Sequence, residues 1–361
     1  MDIQELAARV RAGGRLTDDE GLRLYLHAPT ALLGRLANEI RQRKHPEPVV
    51  TYIIDRNVNY TNVCVARCSF CAFYRPVGSA EGYVLGFDEI FRKIDETIEL
   101  GGGQLLLQGG HNPDLPIEWY EDLFRAVKAR YPGFRLHALS SPEVLHIARL
   151  SNLSVPEVVR RLVDAGLDSI PGGGAEILVD RVRDIIAPKK TKSSEWLNVM
   201  RHAHRLGIST TATMMYGHVE TLEERVEHMR RIREVQDETG GFRAFFSWTF
   251  QDDGNRLGAI VPPETRPTSF DYLLTQAVSR IYLDNMPHIG SSWVTQGKKI
   301  GQVALGFGAD DLGSVMIEEN VVSAAGTTYR ASTEEFVHLI RSMGKIPVQR
   351  DTLYRPVKVW D

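Results

Sequence analysis

Short apolar runs alternate with amphipathic segments along most of the chain. From residue 49 onward, each run is followed by a loop and then by a stretch with apolar side chains at helical spacing. Such runs are typical of buried strands, and the segments between them are typical of helices that cover a sheet. The predicted strands are residues 49–54, 103–108, 134–139, 169–170, 209–215 and 244–250.

This repeat of strand, loop and helix predicts an α/β fold with a parallel sheet and crossover helices. Glycine-rich segments at residues 288–293 and 306–313 resemble two further strand-to-loop units. We therefore expect a (β/α) barrel of the TIM type, with core units over residues 48–285 that residues 286–361 complete toward eight. Residues 1–47 carry helical spacing and a capping-box string at 17–20, which predicts an N-terminal helical extension.

Composition and charge exclude several functional classes. The chain has 361 residues, of which 43% are hydrophobic, so it can bury a large core. A formal net charge of -3, from 43 basic and 46 acidic side chains, offers no footprint for nucleic acid or an anionic membrane surface. The N-terminus lacks a basic-then-apolar signal, and no stretch approaches the ~20 apolar residues of a membrane span. We expect a cytoplasmic protein.

All three cysteines lie in one short segment, Cys64, Cys68 and Cys71. A structural zinc site requires four protein ligands, usually two pairs of Cys or His, and the sequence has no second pair. A disulfide framework wants an even number of cysteines in a small secreted chain. Free cysteines also pack in cores as small hydrophobes, but three scattered core residues would rarely fall so close together. The remaining interpretation is a four-iron cluster held by three thiolates, which leaves one iron open for a ligand.

This spacing, with the aromatic Phe70 before the last cysteine, resembles the signature of radical S-adenosylmethionine (SAM) enzymes. The longer string over residues 59–75 and 78–83 is similar to the branch that makes futalosine-derived menaquinone precursors and deazaflavins, and most of all to the dehypoxanthine futalosine cyclases. Similar strings at residues 308–313 and 318–320 extend the resemblance over most of the chain.

The resemblance implies two cofactors, a [4Fe-4S] cluster on the three cysteines and SAM at its open iron. The segment Gln108-Gly109-Gly110 follows the second predicted strand and resembles the family's glycine motif for the methionine end of SAM. Taken alone, such a glycine pair can also be a simple turn. Glu176 follows the fourth strand, where radical SAM enzymes often place a polar residue for the ribose hydroxyls, and a carboxylate can accept two such hydrogen bonds. Alternatively, Glu176 is a structural glutamate in the first turn of a helix, where its charge interacts favourably with the helix dipole.

His218 follows the fifth strand and is a candidate to move a proton near the substrate, with simple packing as the alternative. The aromatic run at residues 245–250 is expected in the core, although its outward set could hold an aromatic substrate. We expect the acids Asp310, Asp311, Glu318 and Glu319 to be solvated, because carboxylates are mostly exposed.

The implied reaction is hydrogen abstraction by a deoxyadenosyl radical from the ribose of dehypoxanthine futalosine, followed by closure onto the benzoate ring. A low-potential carrier such as flavodoxin or ferredoxin would supply the electron. Aminofutalosine synthase and deazaflavin synthase components are sister alternatives. A plain iron–sulfur electron carrier, which would normally use four cysteines, and a zinc-binding module are alternatives of other classes.

Overall fold

A ring of parallel strands forms the centre of the molecule in the computed structural model, which describes residues 2–360. The strands are β1 Val49–Ile53, β2 Asp55–Asn59, β3 Gln104–Gln108, β4 Arg135–Ala138, β5 Ser169–Ile170, β6 Ser209–Tyr216, β7 Phe242–Thr249, β8 His288–Gly290, β9 Asp311–Ser314, β10 Ile346–Arg350 and β11 Pro356–Val359. From β2 to β9, each strand pairs in parallel with the next strand along the chain. The last of them, β9, also pairs in parallel with β1, the segment that directly precedes β2.

The ring closes because β1 and β2 act as one strand. Along one edge, the amide of Val315 donates to the carbonyl of Ile53 at 2.9 Å, and the amide of Ile317 donates to the carbonyl of Asp55 at 3.1 Å. The chain after β9 therefore pairs with both segments. Along the other edge, β10 pairs with β1, and β3 pairs with β2. Within residues 2–360 this gives eight strand positions around the ring, and β8 and β9 from the C-terminal region complete it as predicted.

Helices cover the outside of the ring and bury its outer face. They are α1 Ile3–Arg11, α2 Asp18–His27, α3 Thr30–Lys44, α4 Phe87–Glu99, α5 Ile117–Arg130, α6 Ser141–Leu150, α7 Val155–Ala165, α8 Asp180–Ile186, α9 Ser193–Arg205, α10 Leu222–Thr239, α11 Ser269–Tyr282, α12 Trp293–Gln296, α13 Lys298–Val303 and α14 Thr333–Arg341. The predicted capping box at the start of α2 is present, with Thr17 and Glu20 bonding each other's backbone amides. None of the helices in residues 2–360 combines the length and apolarity needed to cross a bilayer.

The N-terminal helices pack on the barrel helices: α3 contacts α11, and α2 contacts α10. At the opposite end of the chain, β10 and β11 extend the sheet beside β1, and the turn between them carries Thr352 and Tyr354 beneath the ring. The division of the chain into residues 1–47, 48–285 and 286–361 stays a prediction.

The first strand runs further than its apolar pattern indicates. We expected the cysteine loop directly after residue 54, but β2 continues to Asn59. Its inward side chains, Asp55, Asn57 and Asn59, line a cavity instead of an apolar core. Polar residues facing a cavity remove the apolar signal by which a buried strand is recognised.

The expectation of solvated acids is wrong for three of the four residues. Asp310 and Asp311 are buried, where Arg280 pairs with the first and Arg350 with the second. Glu319 is also buried, and its carboxylate accepts the backbone amides of residues 321–323 at 2.7 to 2.8 Å. Buried carboxylates require such partners. The arginine partners lie far from the aspartates in sequence, and the partners of Glu319 are backbone amides, so a local sequence pattern reveals neither.

Candidate active site

A cavity of about 460 Å³ lies inside the ring and reaches the carboxyl ends of the strands. Active sites of (β/α) barrels lie at this end, on the loops that follow the strands. The cavity brings together nearly all of the residues singled out from the sequence. They are Cys64, Cys68, Cys71, Phe70, Gln108, Gly109, Gly110 and Glu176.

The cysteine loop is held against the barrel by backbone hydrogen bonds along its length. The amide of Val65 donates to the carbonyl of His111 at 3.1 Å, and the amide of Ser69 donates to the carbonyl of Ile186 at 2.8 Å. The amide of His111 also donates to the sulfur of Cys64 at 3.3 Å. The loops after β2, β3 and β5 are thereby tied to one another, which fixes the three sulfurs at one side of the cavity.

The three thiols are free and fit a metal-binding role. Burial raises the pKa of Cys68 to about 12, although Lys190 opposes the shift, and burial also raises the pKa of Cys71. Thiolates in so dry a place require a compensating positive charge, which a bound metal supplies. The donor set of three sulfurs on one short loop therefore suits an iron–sulfur cluster with one iron left open.

Lys190 is a buried cation at this site that the sequence did not single out. Its Nζ lies 3.0 Å from Oε1 of Glu176 and 5.6 Å from the centre of the Phe70 ring. Burial opposes the charge on Lys190, but Glu176 and Cys68 outweigh it and raise the pKa of the ammonium group. The lysine therefore stays charged between the carboxylate and the cysteine loop.

Glu176 is held in an unusual way that suits ligand binding. Its φ of +40° lies in the left-handed region, which is costly for a residue other than glycine. Only 7% of the residue is exposed, and its Oε2 has no hydrogen-bond partner within residues 2–360, with Arg183 as far as 3.8 Å away. Glu176 lines the cavity, and a buried carboxylate oxygen without a donor is suited to accept a ligand hydroxyl.

Gly109 and Gly110 are required by close packing against the cysteine segment. A Cβ on Gly109 would lie 2.6 Å from the Tyr60 ring, and one on Gly110 would lie 2.2 Å from the carbonyl oxygen of Val63. Their amides already donate, that of Gly109 to Glu143 and that of Gly110 to the carbonyl of Thr61. These glycines can therefore accept hydrogen bonds from a ligand but cannot donate them.

His218 is the one predicted site residue that the structure does not bring to the cavity wall. Its side chain is fully buried, with Nε2 3.1 Å from the carbonyl of Met215 and Nδ1 3.0 Å from Glu220. These local contacts occupy both ring nitrogens. The structure therefore favours the packing alternative over proton transfer to a substrate.

The aromatic run on β7 divides between core and cavity. Phe245 is buried in the core, as expected, whereas Phe246 and Trp248 line the cavity. The Phe246 ring lies over β8, where a Cβ at Gly290 would come within 1.8 Å of it. The cavity thus has an aromatic wall on one side, which the core interpretation of this run missed.

Comparisons with known proteins agree with this site. Residues 58–232 match the family model of the radical SAM superfamily, and residues 239–360 match that of the CofH/MqnC C-terminal region. The chain is 48% identical to the cyclic dehypoxanthine futalosine synthase of Streptomyces coelicolor, covering 100% of this chain and 90% of the relative. It is 46% identical to that of Halalkalibacterium halodurans, covering 100% and 96%, and 43% identical to the aminodeoxyfutalosine synthase of Thermus thermophilus, covering 99% and 96%.

Solved structures of low identity share the fold. Methylornithine synthase (PylB) superimposes with a TM-score of 0.72 at 17% identity, covering 95% of this chain and 97% of that one. The FeFe-hydrogenase maturase HydG from Carboxydothermus hydrogenoformans gives 0.76 at 15% identity, covering 98% and 80%. These matches confirm the predicted barrel. The family models and the full-length relatives show that the chain belongs to the radical SAM superfamily.

Proposed function

We propose that this protein cyclises dehypoxanthine futalosine in menaquinone biosynthesis, as a radical SAM enzyme with a [4Fe-4S] cluster. The observation that carries the proposal is full-length identity of 46 to 48% to two cyclic dehypoxanthine futalosine synthases. The cavity supports it, because three free thiols and an unpartnered carboxylate oxygen meet inside a closed barrel.

In this proposal Cys64, Cys68 and Cys71 hold the cluster, while Phe70, Gln108, Gly109, Gly110 and Glu176 surround SAM. When bound, cluster and SAM together supply a carbon radical able to remove a hydrogen atom from an unactivated C–H bond. Glu176 accepts the hydroxyls of the nucleoside through Oε2, while Lys190 fixes Oε1 and so sets the orientation of the carboxylate.

The barrel supplies placement and protection. A reactive radical has to meet its target before it meets water or oxygen, so the reacting groups must be held close in an enclosed site. The closed ring and the turn beneath it provide that enclosure. We propose that a low-potential carrier such as flavodoxin or ferredoxin supplies the electron that starts each turnover.

The net change on the substrate is the loss of two hydrogens with formation of one carbon–carbon bond. One hydrogen leaves the ribose as a hydrogen atom, and the sugar carbon then bonds to the benzoate ring. The ring hydrogen leaves as a proton, and the remaining electron would return to the oxidised [4Fe-4S] cluster, which restores aromaticity. The product is therefore lighter than the substrate by two hydrogens.

Product analysis under anaerobic conditions tests this proposal. The reconstituted protein is incubated with SAM, reductant and dehypoxanthine futalosine, and the products are identified by mass spectrometry. Deoxyadenosine with a product two hydrogens lighter is the expected result. An adenosylated product would replace the cyclase by the addition reaction of the sister enzymes. Absence of any SAM cleavage by a fully loaded cluster would contradict the radical mechanism itself.

A further inference from the structure

Three inward side chains of β2 face the cavity, and only one of them lacks a partner. Asp55 is satisfied by Ser314 and by Gln104, whose Nε2 lies 2.6 Å from its carboxylate. Asn59 donates to the carbonyl of Gln108 at 3.3 Å and accepts from Asn320 at 3.3 Å. Between them, Asn57 has no hydrogen bond to its side-chain oxygen within residues 2–360, although the residue is only 6% exposed.

The neighbours of Asn57 explain why nothing in the protein satisfies it. At its level of the barrel, the register places Leu106 beside it on β3. An apolar neighbour offers no hydrogen bond, and Asn57 itself lines the cavity. A buried amide without a partner is costly, and native proteins rarely leave one unless a ligand or a water completes it.

The level of Asn57 in the barrel also fits a substrate. It lies two residues before Asn59, and so about 7 Å deeper than the end of the strand from which the cysteine loop departs. In an eight-membered ring, β6 stands opposite β2, and β7 stands opposite β3. The wall that faces Asn57 therefore carries Thr211, Thr213 and Met215 on β6, with the aromatic side chains of Phe246 and Trp248 beside them on β7.

We propose that Asn57 is a specificity-determining residue that binds a sugar hydroxyl of the substrate, while the aromatic wall on β7 packs against the substrate's benzoate ring. This inference rests on the proposed function. A neutral amide both donates and accepts, which matches a hydroxyl, and it carries no charge to attract a carboxylate. The sugar is thus held on the side of the barrel from which the cysteine loop departs, with the ring across from it.

The test compares the holoenzyme with its Asn57→Leu variant, which has a similar volume but no hydrogen-bonding group. We expect the KM for dehypoxanthine futalosine to rise about 5- to 10-fold, the size of a neutral hydrogen bond. We also expect more deoxyadenosine per cyclic product, because a loosely held sugar lets the radical be quenched elsewhere. The thermal midpoint of the variant should stay at or above that of the unchanged protein, since an unpartnered buried amide is removed.

Asn198→Leu is the matched control, because Asn198 is exposed on α9. It should change neither KM nor the ratio of deoxyadenosine to product. If Asn57→Leu also leaves both quantities unchanged while the unchanged protein makes cyclic product, the partner of Asn57 is only water, and this inference fails alone. If the unchanged protein makes no cyclic product, the proposed function fails, and this inference fails with it.

Discussion

Replacing Glu176 by glutamine tests the buried ion pair beside the cysteine loop. The change keeps the size of the side chain but removes the charge that neutralises Lys190 at 3.0 Å. A hydrogen bond to a charged group contributes about 1.5–3 kcal/mol. Because about 1.4 kcal/mol corresponds to a factor of ten, loss of the charged acceptor should raise the Kd for SAM about 10- to 100-fold.

Anaerobic calorimetry with SAM measures this effect on reconstituted protein. The iron content should stay that of the unchanged protein, since no cysteine is altered. Loss of one partner of a buried ion pair also destabilises by about 3–5 kcal/mol, so denaturant unfolding should be followed in parallel. Glu223→Gln is the matched control, because it removes the same charge from an exposed position on α10.

An E176Q protein with a full complement of iron and an unchanged SAM affinity would contradict a role of Glu176 in binding SAM. It would mean that Oε2 of Glu176 does not face the bound nucleoside, and that its lack of a protein partner has another cause. A weaker affinity together with a low iron content would also count against it, since the carboxylate would then act on the cluster.

Three further changes test other parts of the structure. Asp310→Asn leaves the fully buried Arg280 without its carboxylate partner. The free energy of unfolding, measured in urea, should therefore fall by about 3–5 kcal/mol. A loss under 1 kcal/mol would contradict this. Gly110→Ala places a Cβ 2.2 Å from a carbonyl of the cysteine segment and should lower the iron bound on reconstitution, whereas Gly133→Ala, with open space around it, should not. Burial lowers the pKa values of His137, His204 and His228 to about 3, 4 and 3. Below pH 6.5 the unfolded chain therefore binds more protons than the folded protein, and acidification should lower the free energy of unfolding by up to about 4 kcal/mol per pH unit near pH 5. Equal stability at pH 5 and pH 7 would contradict this.

Local patterns predicted the parts of the molecule that depend on local physics. The strands with apolar side chains on both faces were found within about one or two residues of their bounds, and the capping box at Thr17 marked the start of α2. The cysteine spacing pointed to the cavity that the three cysteines line, because side chains on one loop have to lie close in sequence. These predictions needed no knowledge of contacts between distant segments.

The missing parts all depend on such contacts. Lys190 meets Glu176 only because the chain folds back over 14 positions, and no spacing rule marks a lone lysine. Asn57 looks like a loop residue until the ring closes around it. His218 fits a catalytic pattern by type and position, yet its ring turns toward Met215 and Glu220. Burial of a polar group is decided by the tertiary fold, which one sequence alone does not display.

Transfer of deuterium from the substrate's sugar to deoxyadenosine reports directly on the proposed hydrogen abstraction. Dehypoxanthine futalosine deuterated on its ribose carbons is turned over anaerobically with unlabelled SAM, and the deoxyadenosine is analysed by mass spectrometry. We expect one deuterium in deoxyadenosine and a cyclic product that has lost that deuterium and one ring hydrogen. Unlabelled deoxyadenosine, or a product that retains the adenosyl group, would contradict it.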